Sequence, residues 1–250
     1  MNAVLLFLLL GHVVGDFVLQ SRALAEAKRL RASALAHHVG LVLLAHAICL
    51  LPLLCYATWS PHLLWLVAGL VLAHAAIDAG KAAVERRRGE SLRTFLGDQA
   101  LHLVTVLVAT RLAPVRDANA VPAELQRAAI LAIAYVLCAT AGSAIVRLVL
   151  ARYRLPTATA ETATTDADGE PINTARMGHA IGVLERSLGL TFILLEAWAG
   201  LGGIIAAKSI ARIKDLERRH FGEYYLIGTL TSLLVTVAVG VAAVWALRHA

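Results

Sequence analysis

The stretch GHVVGDFVLQ, residues 11–20, lies in the first apolar segment of the chain and carries His12, Asp16 and Gln20 at intervals of four residues. Side chains four residues apart lie on one face of an α-helix, one turn above another. A charged side chain inside a membrane helix costs at least about 2.5–3.5 kcal/mol, and such residues pair with one another or serve a function. The stretch therefore predicts a helix that turns a polar face toward groups of the same kind.

The composition predicts a membrane protein built from helices. Of the 250 residues, 59% are hydrophobic and 16% are charged, whereas a typical soluble domain has about 45–50% apolar and about 25% charged residues. A helix that crosses a bilayer needs about 20 apolar residues in a row. We expect an all-α, polytopic transmembrane helical bundle with six or seven membrane segments. The candidate segments are 3–20, 37–57, 62–82, 98–113, 123–150, 179–207 and 224–247.

The cysteines, the first residues and the net charge narrow the class further. Cys49, Cys55 and Cys138 lie in apolar runs, so we expect neither a disulfide framework nor a thiolate metal site. The first segment has no basic start and no small-residue cleavage site, so we expect a retained helix. The net charge is +6, but the basic residues cluster in loops beside apolar segments. We therefore expect membrane lipid as a partner and no specific nucleic acid.

The basic loops predict the orientation of the chain. Residues 21–33 and 81–93 are rich in Lys and Arg, whereas YATWSP, residues 56–61, carries no charge. Short loops rich in Lys and Arg stay on the cytoplasmic side of a membrane. We therefore expect a multi-pass protein of the bacterial inner (cytoplasmic) membrane with its N-terminus outside and both basic loops in the cytoplasm.

The distribution of polar residues predicts three parts. Residues 1–150 form an N-terminal transmembrane bundle, 151–177 a polar cytoplasmic linker too hydrophilic to pack by itself, and 178–250 the C-terminal membrane segments with a basic cytoplasmic helix. Basic residues place both ends of segment 179–207 in the cytoplasm, and AGLGG, residues 199–203, interrupts it. A re-entrant hairpin satisfies both observations, and an ordinary crossing that violates the charge rule is the alternative.

Three His–Asp pairs with a spacing of four residues occur in the apolar segments. With ten His and seven Asp in the chain, about 0.6 such pairs are expected by chance from this geometry. In the predicted orientation all three lie at the cytoplasmic end of their helices, where a double histidine at 37–38 also begins a segment. The pairs are His12/Asp16, His74/Asp78 and Asp98/His102.

A shared divalent cation would stabilise these groups inside a membrane. Imidazole and carboxylate ligands suit zinc first, with manganese or iron as alternatives, and two bridged metals activate water for phosphoester hydrolysis. A proton or ion relay and purely structural contacts between helices are the other interpretations. The predicted metal ligands are His12, Asp16, His38, His74, Asp78, Asp98 and His102, and the groups that orient them are Gln20, Gln99 and His37.

A metal site of this kind predicts a hydrolase for an anionic, phosphate-bearing substrate, either a lipid headgroup or a nucleotide. Glu185 is the carboxylate that we would test as the catalytic base. Cations that could hold the substrate anion are Lys81, Arg186, Lys208 and Arg212, and a solvated charged face is the alternative. Whether the chain is an enzyme stays open, since a proton- or metal-coupled transporter and a non-catalytic membrane sensor or partner protein are the rivals.

Several of these motifs resemble a known family. LLLGHVVGDFVLQS, the double histidine, LAHAAIDAGK and FLGDQALH resemble an uncharacterised family of bacterial integral membrane proteins, domain of unknown function 3307. GHAIGVLERSLGL, IIAAKSIARIKDLE and FGEYYLIGTLTSLL resemble its extended members. The resemblance implies an inner-membrane location and brings no established activity. The His and Asp motifs alone also resemble, more faintly, the YdjM-like membrane-bound metal-dependent hydrolases.

Overall fold

The computed structural model of this chain is all-α, as predicted, and it describes residues 2–153, 174–211, 213 and 219–250. Two short strands, β1 (Thr58–Trp59) and β2 (Val115–Arg116), pair in antiparallel fashion. The helices of the described residues are α1 (Ala3–Phe17), α2 (Arg22–Ala27), α3 (Ala32–Cys49), α4 (Leu51–Tyr56), α5 (His62–Arg88), α6 (Leu92–Leu112), α7 (Ala123–Val136), α8 (Gly142–Leu150), α9 (Thr174–Leu194), α10 (Trp198–Ala211) and α11 (Arg219–Arg248), with a π-helical turn at Leu137–Ala141 between α7 and α8.

Within the described residues, four helical stretches are long and apolar enough to cross a membrane, and α1 and α10 are shorter apolar helices. Large apolar side chains are exposed along them, for example Trp65 at 79% and Leu234 at 70%. Exposure on this scale fits contact with lipid rather than with water. The chain is therefore an integral membrane protein, while the number of crossings stays a prediction. The four stretches are Ala32–Tyr56, His62–Arg88, Ala123–Leu150 and Gly222–Arg248.

Contacts divide the chain into two compact units, Met1–Val136 with Trp245–Ala250, and Leu137–Val244. The first unit holds α1 to α7, and the second holds the π turn, α8, α9, α10 and most of α11. The predicted boundaries at 150 and 178 stay predictions, because most of the expected linker, 151–177, lies outside the described residues.

In the first unit, α1 is the central helix. It packs against α3, α6 and α7, while α5 packs between α3 and α6. The side chains of Leu6, Phe7, Leu8 and Val13 are almost fully buried, so α1 is covered on more than one side. With 15 residues it is roughly 22 Å long at the helical rise, which is shorter than the apolar core of a bilayer. Its apolar side chains are covered mainly by the neighbouring helices.

Two glycines of α1 allow α3 to approach closely, as their spacing of four residues predicts. A Cβ atom at Gly11 would lie 2.9 Å from Cδ2 and 3.1 Å from Cα of His46. A Cβ atom at Gly15 would lie 3.1 Å from Cγ2 of Val42. The backbones of α1 and α3 therefore meet where α1 has no side chain.

The second unit corrects the predicted position of the break in segment 179–207. The glycines of AGLGG lie inside α10, and the break falls at Leu195–Ala197, where Glu196 adopts a left-handed φ of 56°. The N–H of Ala197 donates to the carbonyl of Phe192 at 2.8 Å, and that of Glu196 to Ile193 at 3.1 Å. This pair of bonds is a Schellman motif, which ends a helix at a left-handed residue. Glycine usually occupies that place, so a glutamate there left no signal in the sequence.

Beyond this break, α10 turns back along α9. Gly200 lies against the ring of Phe192, and Lys208 Nζ lies 2.6 Å from Glu185 Oε2. These contacts make α9 and α10 an antiparallel helical hairpin. Its re-entrant placement in the membrane remains a prediction.

A buried arginine of α9 stabilises the π turn. Arg186 donates from Nε to the carbonyl of Cys138 at 2.6 Å and from NH2 to that of Ala139 at 3.3 Å, and it also donates to the hydroxyl of Ser143. Its Cδ would lie 2.9 Å from a Cβ atom at Gly142, so glycine makes room for the side chain. A π-helical turn is rare and usually short, and here a cation binds its carbonyl oxygens.

Replacing Gly11 by Ala is expected to destabilise the first unit. The added methyl group must push against the His46 ring and the α3 backbone, which corresponds to overpacking of about 1–3 kcal/mol. Thermal unfolding of the detergent-purified protein measures the effect. Gly40→Ala is the matched control, because a Cβ atom at Gly40 meets no atom within 4 Å. Equal melting temperatures for the Gly11→Ala variant and the wild type would contradict the close α1–α3 contact.

Replacing Arg186 by Met is expected to destabilise the second unit by about 1–3 kcal/mol, because buried carbonyl oxygens of the π turn lose their donor. The free energy of unfolding, or the melting temperature in detergent, measures the loss. Arg152→Met is the control, since Arg152 is exposed at the end of the same unit. An Arg186→Met protein as stable as the control would show that the π turn does not depend on the guanidinium.

Candidate metal centre

Four helices of the first unit bring the seven predicted metal ligands to one place. Every one of these side chains is buried, from 0% exposure for His38 to 7% for Asp16. The convergence that the spacing and depth of the pairs predicted is therefore present in the structure. The seven residues are His12 and Asp16 on α1, His38 on α3, His74 and Asp78 on α5, and Asp98 and His102 on α6.

The centre of this His–Asp cluster consists of two carboxylates that face two imidazoles. The Nε2 atoms of His38 and His74 both lie 3.3 Å from Oδ1 of Asp16. They also lie 3.1 and 3.5 Å from Oδ2 of Asp78, and 3.2 Å from each other. Three helices, α1, α3 and α5, thus contribute polar atoms to one small volume.

The other two imidazoles extend the cluster toward α6. The rings of His12 and His102 stack at 4.9 Å between centroids with an angle of 17°, and the rings of His74 and His102 are 4.2 Å apart. His12 Nδ1 lies 3.7 Å from Asp16 Oδ2. His102 Nδ1 lies 2.9 Å from the backbone carbonyl of Asp98, four residues earlier. The Nδ1 position of His102 is therefore occupied, and its Nε2 is the nitrogen left for another partner.

Several ligand atoms of the cluster have no hydrogen-bond partner in the described structure. They are Oδ1 of Asp16, Oδ1 of Asp98 and Nε2 of His102. Asp16 Oδ1 is close to two ring nitrogens, but the geometry is not that of a directed hydrogen bond. A buried polar atom without a partner costs about 1–3 kcal/mol, and a cation would satisfy such lone pairs.

The distances between the side chains also suit a divalent cation. Three overlapping sets of three residues each offer ligand atoms within 4.8 Å of one another. Imidazole nitrogen with carboxylate oxygen is the donor combination that zinc, manganese and iron accept. The sets are His12/Asp16/His74, His38/His74/Asp78 and Asp78/Asp98/His102.

Two lysine ammonium groups bind the carboxylates that are nearest the basic loops. Lys28 Nζ lies 2.8 Å from Asp78 Oδ2, and Lys81 Nζ lies 2.8 Å from Asp98 Oδ2. Gln99 Nε2 donates to the same Asp98 oxygen at 3.1 Å, which places it beside a predicted ligand. Lys81 was predicted to hold a substrate anion, and the structure shows it paired with a cluster carboxylate.

Lys28 is the residue that the sequence analysis missed. It is only 8% exposed, yet it lies in a loop with three arginines that the charge rule assigned to orientation. Buried carboxylates require compensating positive charge, so some basic residue was to be expected beside Asp78. Nothing in the spacing of the loop distinguished Lys28 from its basic neighbours.

The short helix α2 places Lys28. Ser21 caps its N-terminus, and the Ser21 hydroxyl accepts a hydrogen bond from the N–H of Leu24 at 3.2 Å. Arg29 then pairs with Glu85 of α5 at 2.8 Å, and Arg86 donates to the carbonyl of Arg29 at 2.8 Å. No side chain of α2 itself is buried. The segment is thus attached to α5 mainly by polar contacts that follow α2.

Three further histidine and glutamine residues lie around the cluster. His37 is exposed while its neighbour His38 is buried, so His38 is the member of the pair that faces the cluster. Oε1 of Gln20 is buried without a hydrogen-bond partner, so the structure shows no bond by which it orients a ligand. His46 is buried deeper in α3, with Nδ1 2.9 Å from the carbonyl of Val42 and no partner on Nε2.

The predicted catalytic and anion-binding residues of the C-terminal part belong to the second unit. Glu185 pairs with Lys208, and the described bonds of Arg186 go to the π turn and to hydroxyl groups. Arg212 lies outside the described residues. Their roles in binding or catalysis stay predictions that these contacts do not test.

Comparison with known proteins concerns the first unit. The sequence profile of the family described as "Protein of unknown function (DUF3307)" matches residues 4–131. This range contains all seven residues of the His–Asp cluster together with Lys28 and Lys81. No curated protein and no solved structure matches the chain, and the likeness to the YdjM-like hydrolases is not among the matches. Because the profile covers slightly more than half of the chain, this protein belongs to the DUF3307 family.

Proposed function

We propose that this protein is a membrane-embedded, metal-dependent hydrolase that acts on a phosphate-bearing lipid or nucleotide at the cytoplasmic face of the bacterial inner membrane. The observation that carries the proposal is the convergence of four imidazoles and three carboxylates from four helices on one buried place. Each such group is costly in an apolar bundle. A bound cation compensates that cost for all of them at once.

Asp16 marks the preferred place for a first ion. Its near neighbours with ionisable side chains are His12, His38 and His74, so it offers a carboxylate surrounded by imidazole nitrogens. The carboxylates of Asp78 and Asp98 each have a lysine partner. Zinc suits a set of three such ligands with one coordination position left for water, and manganese or iron is the alternative. A second ion would share His74 and Asp78.

The chemistry of such a centre is hydrolytic. A metal of this class lowers the pKa of its bound water to about 7 and so supplies a nucleophile. The chain contributes the positive charge of Lys81, which α5 holds beside the cluster through Asp98. An ammonium group at that place attracts the phosphate of a substrate as a point charge. Glu185, which pairs with Lys208 in the second unit, remains the candidate base.

The position of the charges supports the cytoplasmic assignment. Lys28, Arg29 and Arg86 lie together beside the cluster, and positive loops favour the inner side. Tyr56 and Trp59, which follow the far end of α3, are exposed aromatic side chains, as at a membrane surface. The site then lies at the depth of lipid headgroups on the inner leaflet, with the N-terminus outside.

A proton- or metal-coupled transporter is the second candidate, and His46 is the observation that favours it. Its unpartnered Nε2 lies eight residues beyond His38 on the same helix, roughly 12 Å along the axis. A relay across the membrane needs polar groups at such a depth. Movement of zinc ions or protons by the protein in liposomes, without turnover of phosphoesters, would favour this function over hydrolysis.

Elemental analysis of the detergent-purified protein tests the metal. We expect at least about one equivalent of zinc, manganese or iron, and a loss of affinity of about 100-fold or more in His38→Ala, because a ligand is removed. His37→Ala is the matched control: it removes a neighbouring imidazole that is exposed, and its metal content should equal that of the wild type. Less than about half an equivalent in the wild type would overturn the metal centre.

Turnover of phosphoesters tests the reaction. With zinc or manganese present, we expect the purified protein to hydrolyse a phospholipid or a nucleotide phosphodiester. Asp16→Ala should lower kcat/KM by about 100-fold or more, because the metal loses its carboxylate ligand. Asp117→Ala, which removes an exposed carboxylate that pairs with Thr58, should leave the rate unchanged. Metal-loaded protein with no activity on either substrate class would contradict the hydrolase.

A further inference from the structure

We propose that Lys28 is the resident cation of the His–Asp cluster: it holds Asp78 until a divalent ion displaces it, and the α2 segment moves away with it. The inference deepens the proposed function and rests on it, since it takes the cluster to be a metal site. It names how loading of that site is regulated and from which side the ion arrives.

The lysine and the ion would compete for one oxygen of the Asp78 carboxylate. Oδ2 of Asp78 has Lys28 Nζ at 2.8 Å, His38 Nε2 at 3.1 Å and His74 Nε2 at 3.5 Å. The second ion, bound by His38, His74 and Asp78, would need an oxygen of this carboxylate at about 2.0–2.2 Å. The ammonium group already binds the oxygen that faces both imidazoles. Ion and ammonium therefore compete for it.

Electrostatics makes the competition strong. Lys28 and Asp78 are almost completely buried, and opposing or like charges interact more strongly in a site shielded from water. A divalent ion and an ammonium group on the same carboxylate would repel each other at short range. Withdrawal of the ammonium removes that repulsion, so the ion and the lysine occupy the site in turn.

The attachment of the α2 segment allows such a withdrawal. No side chain of α2 is buried, and Leu30, two residues after Lys28, is 79% exposed. The segment is attached to α5 by the Lys28–Asp78 and Arg29–Glu85 pairs and by the bond from Arg86 to a backbone carbonyl. Arg29 also lies 3.4 Å from Glu90, and α2 contacts α3 through half-buried side chains. A surface segment with few buried apolar contacts opens at a low free energy compared with the core helices.

Lys81 provides the contrast within the same site. It also binds a cluster carboxylate at 2.8 Å, but its backbone lies within α5, a helix of 27 residues. Its side chain can turn away, but its backbone cannot move without a helix that carries two of the candidate ligands. Displacement of Lys81 would therefore leave the α5 backbone in place, whereas displacement of Lys28 can take the α2 segment with it.

The exchange couples ion arrival to opening of the site. When Lys28 leaves Asp78, the contact that fixes the α2 segment over this carboxylate is broken. The path to the cluster then opens on the side of the basic loop 21–33. The ammonium group released there is positioned to meet an anionic substrate at the entrance.

Zinc affinity of the full-length protein, measured by competition with a chromophoric chelator, tests the competition. Lys28→Met is expected to bind its second zinc at least about tenfold more tightly than the wild type, because the cation that competes for Asp78 is gone. Lys28→Arg keeps the charge and should bind zinc no more tightly than the wild type. Arg31→Met is the matched control for loss of an exposed positive charge from the same loop and should not change the affinity.

Hydrogen exchange followed by mass spectrometry tests the movement. Zinc is expected to increase the exchange of the backbone amides of residues 22–31 in the wild type. In Lys28→Met the exchange should already be high without zinc. This measurement on the wild type alone decides the inference if Lys28→Met fails to fold in detergent.

The outcomes separate this inference from the proposed function. Zinc binding that is equal or weaker in Lys28→Met than in the wild type, or residues 22–31 that stay protected when zinc binds, would overturn the exchange and leave the metal centre standing. No zinc bound by the wild type, Lys28→Met or Lys28→Arg would overturn the metal centre and this inference together. Tighter binding by Lys28→Met with a zinc-dependent opening in the wild type would support both.

Discussion

The structure of the first unit depends on the burial of two carboxylates against two imidazoles. Asp16 and Asp78 come from α1 and α5, and they face His38 of α3 and His74 of α5 at 3.1–3.5 Å. In an apolar bundle none of these groups can turn to water, so each must find its partner on a neighbouring helix. The contact therefore determines which faces of α1, α3 and α5 meet, in a bundle where apolar side chains alone distinguish poorly between faces.

On α1, the residues that contact α3 and the residues that face the cluster both recur every four positions. Gly11 and Gly15 are four residues apart and admit α3, and His12 and Asp16, one residue further along, are four residues apart and face the cluster. Successive residues of a helix are separated by about 100°. The two rows therefore lie on adjoining faces. Close approach of α3 at the glycines brings its buried histidines within reach of the carboxylate, so the site exists because the helix contact is tight.

The sequence predicts the cluster well because the relevant constraint is local. A His and an Asp four residues apart share a helix face, and apolar surroundings make such a pair conspicuous, so the cluster residues on α1, α5 and α6 follow from spacing and depth. The choice of His38 over His37 follows from the side of α3 that is buried. That choice needed the packing of whole helices, which spacing within one helix does not supply.

The sequence did not predict features in which the surroundings of a residue, rather than its type or spacing, determine what it does. Lys28 differs from its basic neighbours only because α2 turns it toward Asp78. Glu196 ends α9 in a conformation that favours glycine, and the glycines nearby mark no break. Arg186 carries a charge that suggests an anion, and the structure shows it bound to carbonyl oxygens of the π turn, a contact that the sequence did not predict. For Lys28 and Arg186 the deciding contact joins elements that are distant in sequence, whereas the turn at Glu196 is local but uses a residue that seldom adopts a left-handed φ.

Charge within the cluster indicates where chemistry would begin. Of the three carboxylates, Asp78 and Asp98 each have an ammonium group at 2.8 Å. In the part of the chain that the structure describes, the ion-pair partners of Asp16 are imidazoles. An imidazole can also offer a nitrogen lone pair to a metal ion, which an ammonium group cannot. The most favourable place for an added cation is therefore beside Asp16, in the helix that the rest of the first unit surrounds.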